Sequence, residues 1–209
     1  MRRELLLSCW IIALAAAPSG APAQTAYEIS PARGKIELNV YKEGFFKAFG
    51  HDHTISANRF SGRVLFAPGK PENSSVVLRI DADSLTVLDP GTPEKDRKEV
   101  QSTMLGEKVL DAARFPEIHF ESSKVSVTSA APNSWQASVS GPLQIHGVTK
   151  EVTIPVMLQL LGGELFATGS VNILQSDFGI APVKAGGGAV KVKDRLRIRF
   201  EMHARPRPS

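Results

Sequence analysis

Cysteine is nearly missing from this chain: there is one in 209 residues, at Cys9. A single cysteine excludes an intrachain disulfide and any four-cysteine metal site. Tryptophan and tyrosine are scarce, with two of each, although there are ten phenylalanines. After Ala17 no apolar run approaches the roughly 20 residues a spanning helix needs. The charge excess is small, with 25 basic residues against 21 acidic and a net +4. That balance names no nucleic-acid partner. There is no Gly-x-Ser-x-Gly elbow, and Gly186-Gly187-Gly188 lacks the Lys-Ser/Thr ending of a phosphate loop and reads as a hairpin. What is present, 42% hydrophobic and 22% charged residues, suits a folded chain of one domain.

The first residues form a unit of their own. Arg2 and Arg3 make a basic start, and Leu5 to Ala17 is apolar except for Ser8. Pro18-Ser19-Gly20 and Ala21-Pro22-Ala23 follow. This is the pattern of a cleavable secretory signal, with an uncleaved anchor as its rival. Cleavage is expected after Ala23, giving a signal over residues 1–23 and one domain over 24–209, or 186 residues. Cys9 would leave with the signal, removing thiol chemistry altogether, and the loss of Arg2, Arg3 and Glu4 would bring the charge to +3. A periplasmic or secreted protein is the expectation.

Period-two alternation dominates the rest. Ile36, Leu38 and Val40 share one face; so do Phe60, Gly62, Val64 and Phe66, and Val76, Leu78 and Ile80. Trp135, Ala137 and Val139 lead across Gly141-Pro142 to Leu143 and Ile145. Val152 to Leu160 and Leu165 to Ile173 flank Gly162-Gly163, a hairpin signal. Leu196, Ile198, Phe200, Met202 and Ala204 alternate with Arg195, Arg197, Arg199, Glu201 and His203. About eight adjacent strands, each with one apolar face, predict an all-β fold. A closed antiparallel barrel removes the sheet edges; a two-sheet sandwich satisfies the same alternation. Thr92 to Leu110 breaks the pattern with helical spacing and predicts one short helix over a barrel mouth, as a lid or as a plug.

The polar cluster Gly50-His51-Asp52-His53 places His51 and His53 on one face of an extended segment. Two imidazoles could begin a zinc or copper site, with His119 or His146 needed to complete it. His51 could instead act as a hydrolytic base, and Asp81 with Asp83 as a carboxylate pair. No nucleophile is placed for either, so no enzyme is expected. The Arg195, Arg197 and Arg199 stripe reads as an anion-attracting face or as a solvated face balanced by carboxylates. The stronger signal is apolar volume. Phe60, Phe66, Leu78, Trp135, Ile154, Leu158, Ile173, Ile198 and Phe200 would line the interior of an open-centred barrel, where an apolar chain gains roughly 0.8 kcal/mol per buried methylene.

Four blocks carry a family resemblance. They are Phe60-Ser61-Gly62 with the histidine segment before it, Leu110 to Ser122, Gly141 to Lys150, and Ser176 to Ile180. In order and spacing, from about Tyr27 to Ala204, the chain resembles the YceI-like family of exported lipid-binding proteins. The resemblance implies an extended, lipocalin-like, eight-stranded antiparallel barrel. It also implies an interior pocket for a polyisoprenoid, quinone or fatty amphiphile, with no required cofactor. A periplasmic location, transient contact with a membrane surface or membrane b-type cytochrome, and a monomer or homodimer fit the same picture. Phe115-Pro116 would set the start of a strand, His146-Gly147 a tight hairpin, and Asp177 a turn through bonds to backbone amides. The compact histidine pair departs from the family's single histidine.

Overall fold

The computed structural model describes residues 24–43, 52–185 and 190–207. The expected signal with Cys9, the histidine His51 and the expected hairpin at Gly186-Gly187-Gly188 lie outside them. Thirteen strands run β1 (Thr25–Ile29), β2 (Lys35–Glu43), β3 (His53–Ala57), β4 (Phe60–Phe66), β5 (Ser75–Asp81), β6 (Leu85–Val87), β7 (Glu117–Glu121), β8 (Lys124–Ala131), β9 (Ser134–Ile145), β10 (Val148–Leu161), β11 (Glu164–Leu174), β12 (Lys184–Ala185) and β13 (Val190–Pro206). One helix, α1 (Glu94–Leu105), lies between β6 and β7.

These segments close a ring of eight strands, β1-β4-β5-β7-β9-β10-β11-β13, with β13 returning to β1. Every pairing is antiparallel. Closure decides against the sandwich. The remaining strands lengthen the wall, because several ring strands are broken in the middle. Pro31–Arg33 turns between β1 and β2, Asn58-Arg59 separates β3 from β4, and Ala82–Ser84 separates β5 from β6. Beyond those breaks β2 pairs with β13 and β3, and β3 with β6, so the barrel is drawn out at one end.

The side chains sort by the pleat. On β10, Glu151, Thr153, Pro155, Met157 and Gln159 are exposed, while Val152, Ile154, Val156 and Leu158 between them face inward. The two hairpins beside β10 have positive φ at both central residues, 52° and 74° at His146-Gly147 and 58° and 83° at Gly162-Gly163. That geometry matches the strand twist and suits glycine.

At the β11 end, the short helical turn Gln175–Phe178 stops at Gly179, φ 73°, and Phe178 is fully enclosed. Here one expectation fails. Asp177 is exposed, and the carboxylate that meets the turn is Asp194. The Ser176 N–H donates to Asp194 Oδ1 at 2.9 Å and its hydroxyl to Oδ2 at 2.6 Å. Asp194 lies in a bulge of β13, so a residue 18 positions away supplies the bond that sequence proximity assigned to Asp177.

Candidate functional site: an apolar cavity with a polar mouth

The barrel encloses a cavity of about 1630 Å³. Close-packed interiors leave few voids larger than a water molecule, so this space is part of the architecture. Of the nine residues expected to line it, Phe66, Leu78, Trp135, Ile154, Leu158, Ile173, Ile198 and Phe200 do. Phe60 does not. It is buried behind the first wall break, where a Cβ added at Gly34 would lie 2.9 Å from its ring. The close approach of the β1–β2 turn takes up this side chain, and alternation along β4 could not reveal that turn.

The lining residues divide into two kinds. Phe66, Trp135 and Ile173 are buried, whereas Leu78, Ile154, Leu158, Ile198 and Phe200 face inward yet remain only partly covered. These five pack against the core and present their remaining accessible surface to the cavity. Of the buried ones, Phe66 and Trp135 form a floor, while Ile173 stands opposite Leu196 toward the other end of β11. Phe66, 1% exposed, meets Trp135 edge-on with ring centroids 5.0 Å apart, and Tyr27 also meets it edge-on at 6.5 Å. Burial pushes the Tyr27 hydroxyl above its ordinary pKa, which keeps it neutral.

The opposite end is polar. α1 presents Asp96, Glu99, Val100 and Thr103 to the cavity, one face at three- and four-residue spacing. Lys42, Lys184 and Lys191 line the mouth from β2, β12 and β13, and Lys191 pairs with Glu43 at 3.4 Å. The helix is joined to the wall through Gln101. Its Nε2 donates to the Leu85 carbonyl at 2.7 Å, and its Oε1 accepts the Val87 N–H at 2.8 Å. One side-chain amide thus occupies both bonding positions on the open edge of β6.

Segment 106–116 then returns to the wall, with Leu110 N–H bonded to Met104 O and Ala82 N–H to Pro116 O. Phe115 lies edge-on to His146 at 4.9 Å, where a Cβ at Gly147 would come within 2.5 Å of the ring. Two of the sequence blocks that carry the family resemblance therefore touch each other at the mouth.

His53 lines the cavity at this end. Its Nδ1 lies 2.5 Å from Asp89 Oδ2, and Asp89 Oδ1 accepts the Thr54 N–H at 2.8 Å. The Asp89 side chain is 3% exposed and the His53 ring 20%. The metal-site partners lie elsewhere: His119 sits beside Glu117 and Glu121 on β7, and His146 packs on Phe115. Among the described residues no three His, Cys, Asp or Glu side chains gather as metal ligands, and no hydroxyl hydrogen-bonds to His53. Asp81 and Asp83 are both engaged by Arg59, at 2.9 and 2.6 Å. The Arg195, Arg197 and Arg199 side chains make no carboxylate pair among the described residues, and Glu37, opposite Arg199, pairs with Lys35 instead. Sequence reasoning missed Asp89 and Gln101. Their one local signal is the Asp89-Pro90-Gly91 turn at the foot of the helix.

A closed eight-stranded barrel with an apolar interior and a helix at its polar mouth is the architecture of a hydrophobic-ligand container. The model of the YceI-like domain matches residues 27–204, and the chain belongs to this family. A UPF0312 protein of Shewanella denitrificans is 25% identical over 186 residues, covering 86% of this chain and 88% of that one. A UPF0312 protein of Yersinia pestis is 30% identical over 129 residues, covering 62% of this chain. That match spans 58% of the Yersinia protein, a little over half its length. Among solved structures, Burkholderia cenocepacia BcnA superposes with a TM-score of 0.65 at 24% identity, covering 84% of this chain and 98% of that one. The Campylobacter jejuni YCEI protein superposes at 0.57 with 14% identity, covering 74% and 85%. Both show the same fold.

Proposed function

We propose that this protein binds and carries one long apolar amphiphile, of the polyisoprenoid or quinone-like kind, with its chain in the barrel and its head at the mouth. The observation that carries the reading is the set of inward, half-covered apolar residues, Leu78, Ile154, Leu158, Ile198 and Phe200, around a void of about 1630 Å³. Drug-sized pockets are about 300–1,000 Å³, so this volume suits a longer ligand. Each methylene taken from water contributes roughly 0.8 kcal/mol, and a chain sealed from solvent is held by its length. The export pattern of residues 1–23 supports a periplasmic place of action, where such a lipid would need a carrier between membrane surfaces. Binding, not catalysis, is the proposed activity.

Native mass spectrometry of protein purified without added lipid tests the reading. A retained amphiphile, or stoichiometric uptake of a long-chain probe, is expected. An empty barrel that takes up no such probe overturns it. Sequencing the N-terminus of protein released from the periplasm tests export, with Gln24 as the expected first residue.

A further inference from the structure

Among the polar groups at the mouth of the cavity, one imidazole stands beside a carboxylate that is almost wholly buried. A carboxylate has no proton to give. Asp89 spends one oxygen on the Thr54 N–H and turns the other to His53 Nδ1. The proton between them therefore belongs to Nδ1, and in the neutral ring Nε2 carries a bare lone pair. Among the described residues nothing hydrogen-bonds to Nε2. A lone pair at the end of an apolar cavity accepts a hydrogen bond from a donor, and water is the poorer partner once a chain fills the space behind it.

We infer that His53 Nε2 is a head-group acceptor at the mouth of the barrel and selects amphiphiles whose head presents an O–H donor over ligands of equal length that present only acceptors. The inference rests on the proposed lipid-carrying function and adds the chemistry of the head. Asp89 is a positioning residue: it sets which ring nitrogen holds the proton and does not touch the ligand. Thr54 makes this testable. In Asp89→Asn its N–H still needs an acceptor, so the new amide oxygen turns to Thr54 and the amide N–H₂ to His53 Nδ1. The ring proton must then move to Nε2, and the acceptor becomes a donor.

The experiment measures displacement of a fluorescent apolar probe by hexadecanol and by its methyl ether, at about pH 8. The full mature chain is expected to prefer the alcohol about tenfold, the scale of one hydrogen bond in a dry site. Asp89→Asn should erase the preference, because the hydroxyl oxygen and the ether oxygen both accept from an Nε2–H. His53→Leu should bind both alike while keeping the affinity of the wild type for the ether, which also reports that the barrel is folded. Equal binding of alcohol and ether by the wild type overturns the inference and leaves the carrier reading intact. An alcohol preference that survives in His53→Leu also overturns it. If neither compound displaces the probe, the carrier reading fails and this inference with it.

Discussion

The floor and the mouth of the barrel are built on opposite terms. The floor is three aromatic rings, Tyr27 and Phe66 from the paired strands β1 and β4, and Trp135 from β9. The mouth is a helix held to an incomplete strand by one glutamine amide, and a histidine held by one carboxylate. The floor is stabilised by packed area; the mouth adds a few directed bonds to the burial of Met104 and Phe178. An end that must stay shut can be made from burial, whereas an end that must admit a ligand needs contacts that break one at a time. The weaker end is where opening is expected.

Truncating the floor should have the largest effect. Phe66→Ala removes a ring that is 1% exposed, and a cost of about 3–5 kcal/mol is expected. Urea unfolding measures it, and a loss below about 1 kcal/mol would mean that the floor is not close-packed. At the mouth, Gln101→Ala leaves the Val87 N–H and the Leu85 carbonyl without the partner they share. A loss of about 1–3 kcal/mol is expected. Hydrogen exchange should rise in α1 and β6 while the floor strands stay protected. Uniform exchange over the whole barrel would erase the distinction between the two ends.

The smallest effects concern two carboxylates, one at each end. A hydrogen bond from Arg33, with the charges of Arg33 and Arg205, holds Glu164 below its ordinary pKa near the floor. Bonds from the Ser176 hydroxyl and N–H hold Asp194 below its own near the mouth. A lowered folded-state pKa contributes stability above the unfolded-state value and loses it as pH falls through the folded-state value. Glu164→Gln and Asp194→Asn should therefore be less stable than the wild type near neutrality, and the difference should close in acid. A gap that widens on acidification, in melts across the pH range, would contradict both pairings.

The strands were legible because alternation is local: Val152 to Leu160 and Leu196 to Ala204 announce their inward faces. Closure was not, since β1 and β13 meet across most of the chain. The floor was likewise partly legible in Phe66 and Trp135. Phe60 misled because the turn at Pro31–Arg33 that covers it changes no feature of β4 itself. The mouth was least legible. His53 stood out, but its partner Asp89 is 36 residues away. The bond assigned to Asp177 belongs to Asp194, which lies on the next long strand and inside a bulge. Pairings over such distances follow from the closed ring and leave no periodic trace.

The alternation on β10 and β13 has one more consequence. Outer-membrane barrels wear an apolar belt and enclose water. Here Glu151, Thr153, Gln159, Arg195, Arg197 and Arg199 stand on the outside, and the oil-like surface is within. Along these faces the order is the reverse of an outer-membrane barrel: the charges stand outside the wall and the apolar lining stands within.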